Sequence, residues 1–148
     1  MAERAEALVA SFNSANDDLI ATVEGLSDEQ WNKVCEEEGW SVGVTAHHVA
    51  AGYPLLTGLI QGIAAGADIP PISMNQIDDG NAKHADEFAS VTKEDTVKGL
   101  REGGAGAATA IGGLTDEQLD KTKQVLEGAP EMSLEDVVAQ VLDRKSVV

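Results

Sequence analysis

A chain of 148 residues suffices for one domain with one core, because a compact chain of about this size buries roughly 68–70% of its unfolded surface. Hydrophobic residues make up 43% of the chain but aromatic residues only 3%, so we expect a core of Ala, Val, Leu and Ile on closely packed helices. The formal net charge of -16 repels phosphate backbones and anionic lipid head groups, which argues against nucleic acid and membrane surfaces as partners.

The N-terminal segment and the cysteine content favour a cytoplasmic location. The chain begins MAERAE, without a basic segment followed by an apolar run, and no stretch reaches the roughly 18 apolar residues of a membrane-spanning helix. A single cysteine, Cys35, excludes an internal disulfide and suits a reducing compartment. We therefore expect one cytoplasmic domain over residues 1–148.

The first half of the chain predicts two long helices joined by a short one. Apolar residues recur at helical spacing from Ala2 to about Glu24. Ser27-Asp28-Glu29-Gln30 has the pattern of a capping box and predicts a short helix that carries Trp31. Ser41 is the next N-cap and opens a helix to about Ala65. The apolar face of that helix is predicted to contain Val44, His48, Ala51, Leu55, Leu59 and Ile63.

The second half begins with a connector, since Pro70 and Pro71 in series cannot continue a helix. A helix is then predicted from Asn75 to Ala89, with one side made of Ile77, Ala82, Ala85 and Phe88. A third long helix starts at Thr92 and reaches Gly112. Its glycine-rich stretch 103–108 has low helix propensity, so either close contact with another helix compensates or the helix is loose there.

An internal repeat organises the two halves. The segment GLSDEQWNK at Gly25–Lys33 recurs as GLTDEQLDK at Gly113–Lys121, each time after a long helix. Ser133 caps the last helix in the second copy as Ser41 caps its counterpart in the first. Two pseudo-repeated helix pairs joined by a long central crossover predict an all-α four-helix bundle.

The segment GWSVGVTAHHVA at Gly39–Ala50 carries a histidine into an apolar helix face. Trp40-Ser41 is followed, eight residues after the tryptophan, by His48, then Val49-Ala50. With the repeat and the last helix, this resembles the DinB-like superfamily over nearly the whole chain, including the N-terminal domains of mycothiol-dependent maleylpyruvate isomerases. The resemblance implies a DinB-like bundle in which His48 is one of three histidine ligands to a divalent metal, nickel or zinc. That metal would activate a thiol or water for transfer or hydrolysis.

The last helix departs from the family pattern. The family's other two ligands form a His-x-x-x-His pair, which would fall near positions 145 and 149. Lys145 occupies the first of these positions, the second lies beyond Val148, and residues 143–148 contain no histidine. The triad is therefore incomplete, which predicts a degenerate metal site and leaves open whether any metal is bound.

Four other residues are candidates for a ligand pocket around His48. Trp40 would anchor the start of the helix, and Gln140, at the repeat position of His48, is predicted to form a hydrogen-bonded pair with it across the bundle. His47 points about 100° away around the helix and is expected on its flank. His84 lies among charged residues and is expected at the surface or at the pocket mouth. Three roles for His48 stay open: a hydrogen-bonded core histidine, a metal ligand, or a residue that binds a small molecule directly.

The sequence is compatible with two functions, one enzymatic and one non-catalytic. The first is a metal-dependent, thiol-linked transferase or hydrolase; the second is a non-catalytic bundle that binds a small apolar ligand or serves in homodimeric assembly. Whether the chain is an enzyme stays open, and a nucleophile pair of Cys35 with a histidine is a weaker alternative. We expect a small molecule or a thiol as partner, and a homodimer, because a shortened last helix leaves apolar faces of its neighbours uncovered.

Overall fold

The computed structural model describes residues 3–34, 40–68 and 70–144, with side chains as far as Gln140. In these residues the helices and strands are, in order, α1 Glu3–Glu24, α2 Asp28–Trp31, α3 Val42–Ala64, α4 Met74–Glu87, α5 Lys93–Gly112, α6 Asp116–Leu119, β1 Thr122–Lys123, β2 Met132–Ser133 and α7 Leu134–Arg144. The long helices α1, α3, α5 and α7 form the bundle, which confirms the predicted all-α fold. No helix within these described ranges is both long and apolar enough to cross a membrane.

The crossover predicted in the middle of the chain joins α3 to α5. It contains α4, which lies against α3 and has no fully buried residue. The most extensive helix contacts are those of α5 with α3 and with α1, while α7 packs against α1 and α3. The helix predicted from Asn75 to Ala89 is therefore present but lies on the outside of the bundle.

The repeat predicts its local structure correctly. In each copy the cap hydroxyl accepts a hydrogen bond from the backbone N–H three residues later, and the glutamine there accepts one from the cap N–H. Ser27 and Gln30 form the first capping box, and Thr115 and Gln118 form the second.

The repeat extends beyond the capping boxes into the start of the next helix. The backbone N–H of Val42 donates to Lys33 O at 2.8 Å, and that of Leu134 donates to Lys121 O at the same distance. An antiparallel bridge joins Val34 to Ser41 in the first copy, and the β1–β2 pairing occupies the same place in the second. This two-residue pairing was not predicted, since strands so short leave no periodicity in the sequence.

The apolar face of α3 differs from the predicted one. Leu55, expected in the core, is 77% exposed, and His48 is only half-buried. Val44 and Ile63 are buried as predicted, and the rest of the side that faces the core carries Ala46, Ala50, Tyr53, Leu56 and Ile60. The core face of α3 turns to this side because the glycines of α5 approach α3 at Ala50 and Tyr53.

Close helix contact explains the glycine-rich stretch of α5. A Cβ on Gly103 would lie 3.0 Å from Tyr53 Cβ, and one on Gly99 would lie 3.2 Å from Ala50 Cβ. A Cβ on Gly104 would overlap the carboxamide of Asn16. Close contact therefore compensates at Gly103 and Gly104, whereas a Cβ on Gly106 of the same stretch would meet nothing within 4 Å.

A buried polar link joins the three helices at this point. Asn16 Nδ2 of α1 donates to Leu100 O of α5 at 3.0 Å, and the Tyr53 hydroxyl of α3 donates to Asn16 Oδ1 at 2.8 Å. Burial raises the pKa of Tyr53 to about 12, so the phenol stays protonated and keeps its donor. This link ties the middle of α3 to α1 and α5.

Candidate functional site: a histidine cluster between α3 and α4

The start of α3 is fixed by its cap and by a close packing contact. The Ser41 hydroxyl accepts from the backbone N–H of Val44 at 3.1 Å. Gly43, in the first turn, lies against the indole of Trp31, where a Cβ would be 2.5 Å from Cε2. Trp31 Nε1 in turn donates to Val91 O at 3.1 Å. These contacts place the next turn of α3, which carries two histidines.

All three histidines of the chain meet between α3 and α4. Nδ1 of His47 and Nε2 of His84 are 2.8 Å apart, and their rings are nearly parallel, with centroids 5.0 Å apart. The ring of His48 meets that of His84 at 65°, also with a centroid distance of 5.0 Å. His84 therefore lies across both histidines of α3, and each of the three is half-buried.

Two aromatic rings enclose the cluster. Phe88, one turn after His84 on α4, packs against His47 with ring centroids 4.2 Å apart and against His84 at 4.9 Å. Trp40 meets the ring of His48 at a centroid distance of 5.7 Å. The imidazoles are thus held on both sides by apolar rings.

Two imidazoles of the cluster are neutral at pH 7. Burial lowers the pKa of His47, although Asp95 opposes the shift. Burial, followed by the nearby His48 and His47, lowers the pKa of His84 to about 4. A neutral imidazole has one nitrogen lone pair free to accept a hydrogen bond or to bind a metal ion.

A groove of about 600 Å³ opens beside the cluster. Its lining consists of Trp40, Ala82, Lys83, Ala85 and Asp86. Trp40, which contacts His48, forms one side of the groove, while none of the three histidines lines it. Its walls combine an indole and two methyl groups with one charge of each sign.

The structure brings together four of the five residues predicted for the site. Trp40 lies beside His48 as expected, and His84 is half-buried against His47 and His48 rather than on the open surface. His47, expected on the flank of α3, is instead half-buried and paired with His84. Gln140 is exposed on α7, and among the described contacts none brings it to the histidines.

The contribution of α4 to the histidine cluster was not predicted. The charged neighbours of His84 in the sequence suggested an exposed residue, although His84 belongs to the helix face that packs inward. His84 stands between Lys83 and charged residues in the sequence, yet it lies seven residues after Ile77 and four before Phe88. That is the spacing of one helix face, and the half-buried residues of this segment follow it: Ile77, Asn81, His84, Ala85 and Phe88. This spacing was the available signal.

The structure leaves the predicted degeneracy of the metal site untested. Among the described residues, no three His, Cys, Asp or Glu side chains are grouped so that they could hold a metal ion. Cys35 and Lys145, which the sequence analysis considered, lie outside the described residues.

The comparisons with known proteins identify the family and the fold. The family model described as the DinB superfamily matches residues 11–143. The solved structure of YfiT from Bacillus subtilis, described as a probable metal-dependent hydrolase with an unusual four-helix bundle topology, is similar with a TM-score of 0.78 and 14% identity, over 99% of this chain and 82% of that one. No curated protein matches the chain.

A second solved structure has the same fold. A variant of mycothiol-dependent maleylpyruvate isomerase is similar with a TM-score of 0.76 and 9% identity, over 97% of this chain. The match spans 58% of that longer protein. At such low sequence identity, the two similarities are evidence of a shared fold only.

Proposed function

Because the chain belongs to the DinB superfamily, we propose that it binds a divalent metal ion through His48 and acts as a metal-dependent hydrolase or thiol-linked transferase. The observation that supports this most is the setting of His48. Its helix start is fixed by the Ser41 cap, and its ring lies between Trp40 and the neutral imidazole of His84. YfiT, with the same fold, is described as a probable metal-dependent hydrolase.

The donor chemistry of the cluster fits such an ion. Imidazole nitrogens are good ligands for zinc and nickel, and the net charge of -16 attracts cations. The described residues hold no three-donor group, so water, a thiol or a residue outside the described ranges would complete the coordination. When bound, a divalent ion lowers the pKa of a coordinated water or thiol and so supplies a nucleophile near neutral pH.

The groove is the proposed place for the substrate. Trp40 and the methyl groups of Ala82 and Ala85 offer an apolar surface, while Lys83 and Asp86 offer one charge of each sign. This lining suits a small molecule with an apolar body and a polar end, held beside His48.

Metal content tests the proposal. Untagged protein, reconstituted with Zn²⁺ and freed of loosely bound ion, is measured by elemental mass spectrometry alongside His48→Ala. We expect about one ion per chain, lost in the variant, because a site without its principal imidazole binds weakly. Gln140→Ala is the matched control, since Gln140 holds the same place in the second repeat but is exposed. Equal metal content in wild type and His48→Ala contradicts the proposal.

A non-catalytic ligand-binding bundle is the second candidate. The absence of a three-donor group among the described residues and the indole in the groove both favour it. It predicts that metal-free protein binds a small apolar probe, such as an anilinonaphthalene dye, and that Trp40→Ala weakens this binding. Homodimerisation stays a prediction, which light scattering at high dilution tests.

A further inference from the structure

One buried nitrogen of the histidine cluster has no described partner. Nδ1 of His84 is shielded from solvent, and in the described part of the chain it is the one buried side-chain nitrogen or oxygen without a hydrogen bond. Buried polar atoms are nearly always paired, because an unpaired one has lost its hydration without compensation. We therefore expect Nδ1 of His84 to bind a ligand in the functional protein.

The contact with His47 favours one tautomer of His84. If Nε2 of His84 accepted the hydrogen bond, Nδ1 would carry a buried N–H with no acceptor. If Nε2–H donates to Nδ1 of His47, the 2.8 Å contact is satisfied and Nδ1 of His84 presents a lone pair. Orphaned buried N–H groups are rare in proteins, so we assign the second tautomer. The unpaired atom is then an acceptor.

The separation of the His48 and His84 rings is compatible with both binding the same ion. Two imidazoles bound to one tetrahedral ion, each nitrogen about 2.1 Å from it, have ring centres roughly 5 Å apart. The centroids of His48 and His84 are 5.0 Å apart, and their planes are inclined by 65°. Both residues lie on helices, α3 and α4, so the separation depends on the packing of the two helices.

We infer that His84, through Nδ1, is a second protein ligand to the divalent ion that His48 is proposed to bind, an inference that rests on that proposed function. The crossover helix α4 then contributes a ligand to the site. The other coordination positions are left to water, a thiol, the substrate or a residue outside the described ranges. Two imidazoles suit a borderline ion such as Zn²⁺ better than Mg²⁺ or Ca²⁺, which prefer oxygen ligands.

His47 is a positioning residue for His84 in this arrangement. Histidines that bind a metal almost always donate their other ring N–H to a fixed acceptor, which sets the tautomer and the orientation of the ring. Nδ1 of His47 is that acceptor, and Phe88 packs against both rings. Of the two adjacent histidines on α3, His48 is thus a metal ligand, whereas His47 orients His84.

The test is the Zn²⁺ affinity of the full chain, made metal-free and titrated in competition with a chromogenic chelator. We expect His84→Ala and His48→Ala each to weaken binding by more than about 100-fold, and His47→Leu by about 10–100-fold, as for other supports of metal ligands. His47→Gln should recover part of that loss, because its amide oxygen can accept from Nε2–H. Asp79→Asn, exposed on α4 and outside the groove lining, controls for charge and should change the affinity no more than about fivefold.

A spectroscopic readout separates ligation from a merely structural role. In ¹⁵N spectra of wild-type imidazoles, Zn²⁺ should move the Nδ1 resonance of His84 from an unprotonated to a metal-bound position while Nε2 stays protonated. This measurement needs no variant, so it decides the point even if His84→Ala fails to fold. An unchanged Nδ1 resonance in zinc-loaded protein overturns the inference.

The outcomes distinguish this inference from the proposed function. If Zn²⁺ binds, is lost in His48→Ala and is retained at wild-type affinity in His84→Ala, the inference is overturned while the proposed function stands. If wild-type protein binds no Zn²⁺, both are overturned. Joint loss in the two variants with the shifted Nδ1 resonance supports both.

Discussion

The two repeated halves of the chain share their local structure but not their chemistry. Both contain the same capping box and the same backbone hydrogen bond into the next long helix. Ser41 and Ser133 both cap that helix, yet only the first copy continues with a histidine, where the second has the exposed Gln140. The crossover helix α4 packs against α3 and brings His84 to that histidine. The repeat therefore accounts for the fold, and the difference between its copies locates the candidate site.

The largest loss of stability is expected on truncating the buried residue of each short helix, Trp31 of α2 and Leu119 of α6. Trp31 and Leu119 hold the same place in the two copies and are both buried, but Trp31 also donates to Val91 O beside the crossover. Trp31→Ala should lower the free energy of unfolding by about 3–5 kcal/mol and Leu119→Ala by about 2–5 kcal/mol. Denaturant unfolding measures both. A loss below about 1 kcal/mol for Trp31→Ala contradicts its assigned role in holding α3.

The next effect concerns the glycine that only the first copy needs. A Cβ on Gly43 would overlap the rigid indole of Trp31, so Gly43→Ala should lower the free energy of unfolding by about 1–3 kcal/mol. Gly58→Ala, in the same helix with nothing within 4 Å, is the matched control and should stabilise by up to about 1 kcal/mol. Thermal or denaturant unfolding compares them. Equal effects of the two substitutions would show that the indole does not fix the start of α3.

A smaller and symmetrical effect is expected at the two capping boxes. Ser27→Ala and Thr115→Ala each remove one cap hydrogen bond and should each lower the free energy of unfolding by about 1 kcal/mol. Unfolding of the single variants and of the double variant measures this, with additive effects expected for separate sites. A large cost at one box and none at the other would break the equivalence of the two copies.

The last prediction concerns the pH dependence that the burial of His84 adds to the free energy of unfolding. Burial holds the pKa of His84 at about 4 in the folded protein, whereas an unfolded histidine has a pKa near 6.5. The unfolded state therefore binds more protons between these values, so the free energy of unfolding should fall as the pH falls from about 6.5 towards about 4. His84→Gln removes this contribution, and metal-free wild type and variant are compared at pH 7 and pH 5. Identical pH slopes contradict the assigned burial of His84.

Much of the fold could be predicted because local rules govern it. The capping boxes, the N-caps at Ser41 and Ser133 and the ends of the long helices follow from residue identity and spacing over a few positions. The core face of α3 could not be predicted this way, since it depends on where the glycines of α5 approach, and Leu55 was wrongly expected inside.

The candidate site was predictable only on its α3 side. Trp40 and His48 follow from one continuous motif, whereas the contribution of His84 depends on how the crossover packs. The pairing of His47 with His84 was missed because a 100° separation on one helix was taken to keep His47 away from the pocket. A third residue on another helix can lie across both, which helix geometry alone does not reveal.

The most direct test of a metal site confined to the first copy and the crossover is an anomalous-difference map from crystals of the zinc-loaded protein. We predict one strong peak within about 2.0–2.1 Å of an imidazole nitrogen of His48 and of Nδ1 of His84, with none at Gln140. A peak bound by His48 without His84, or no peak at the cluster at all, would contradict this placement of the site.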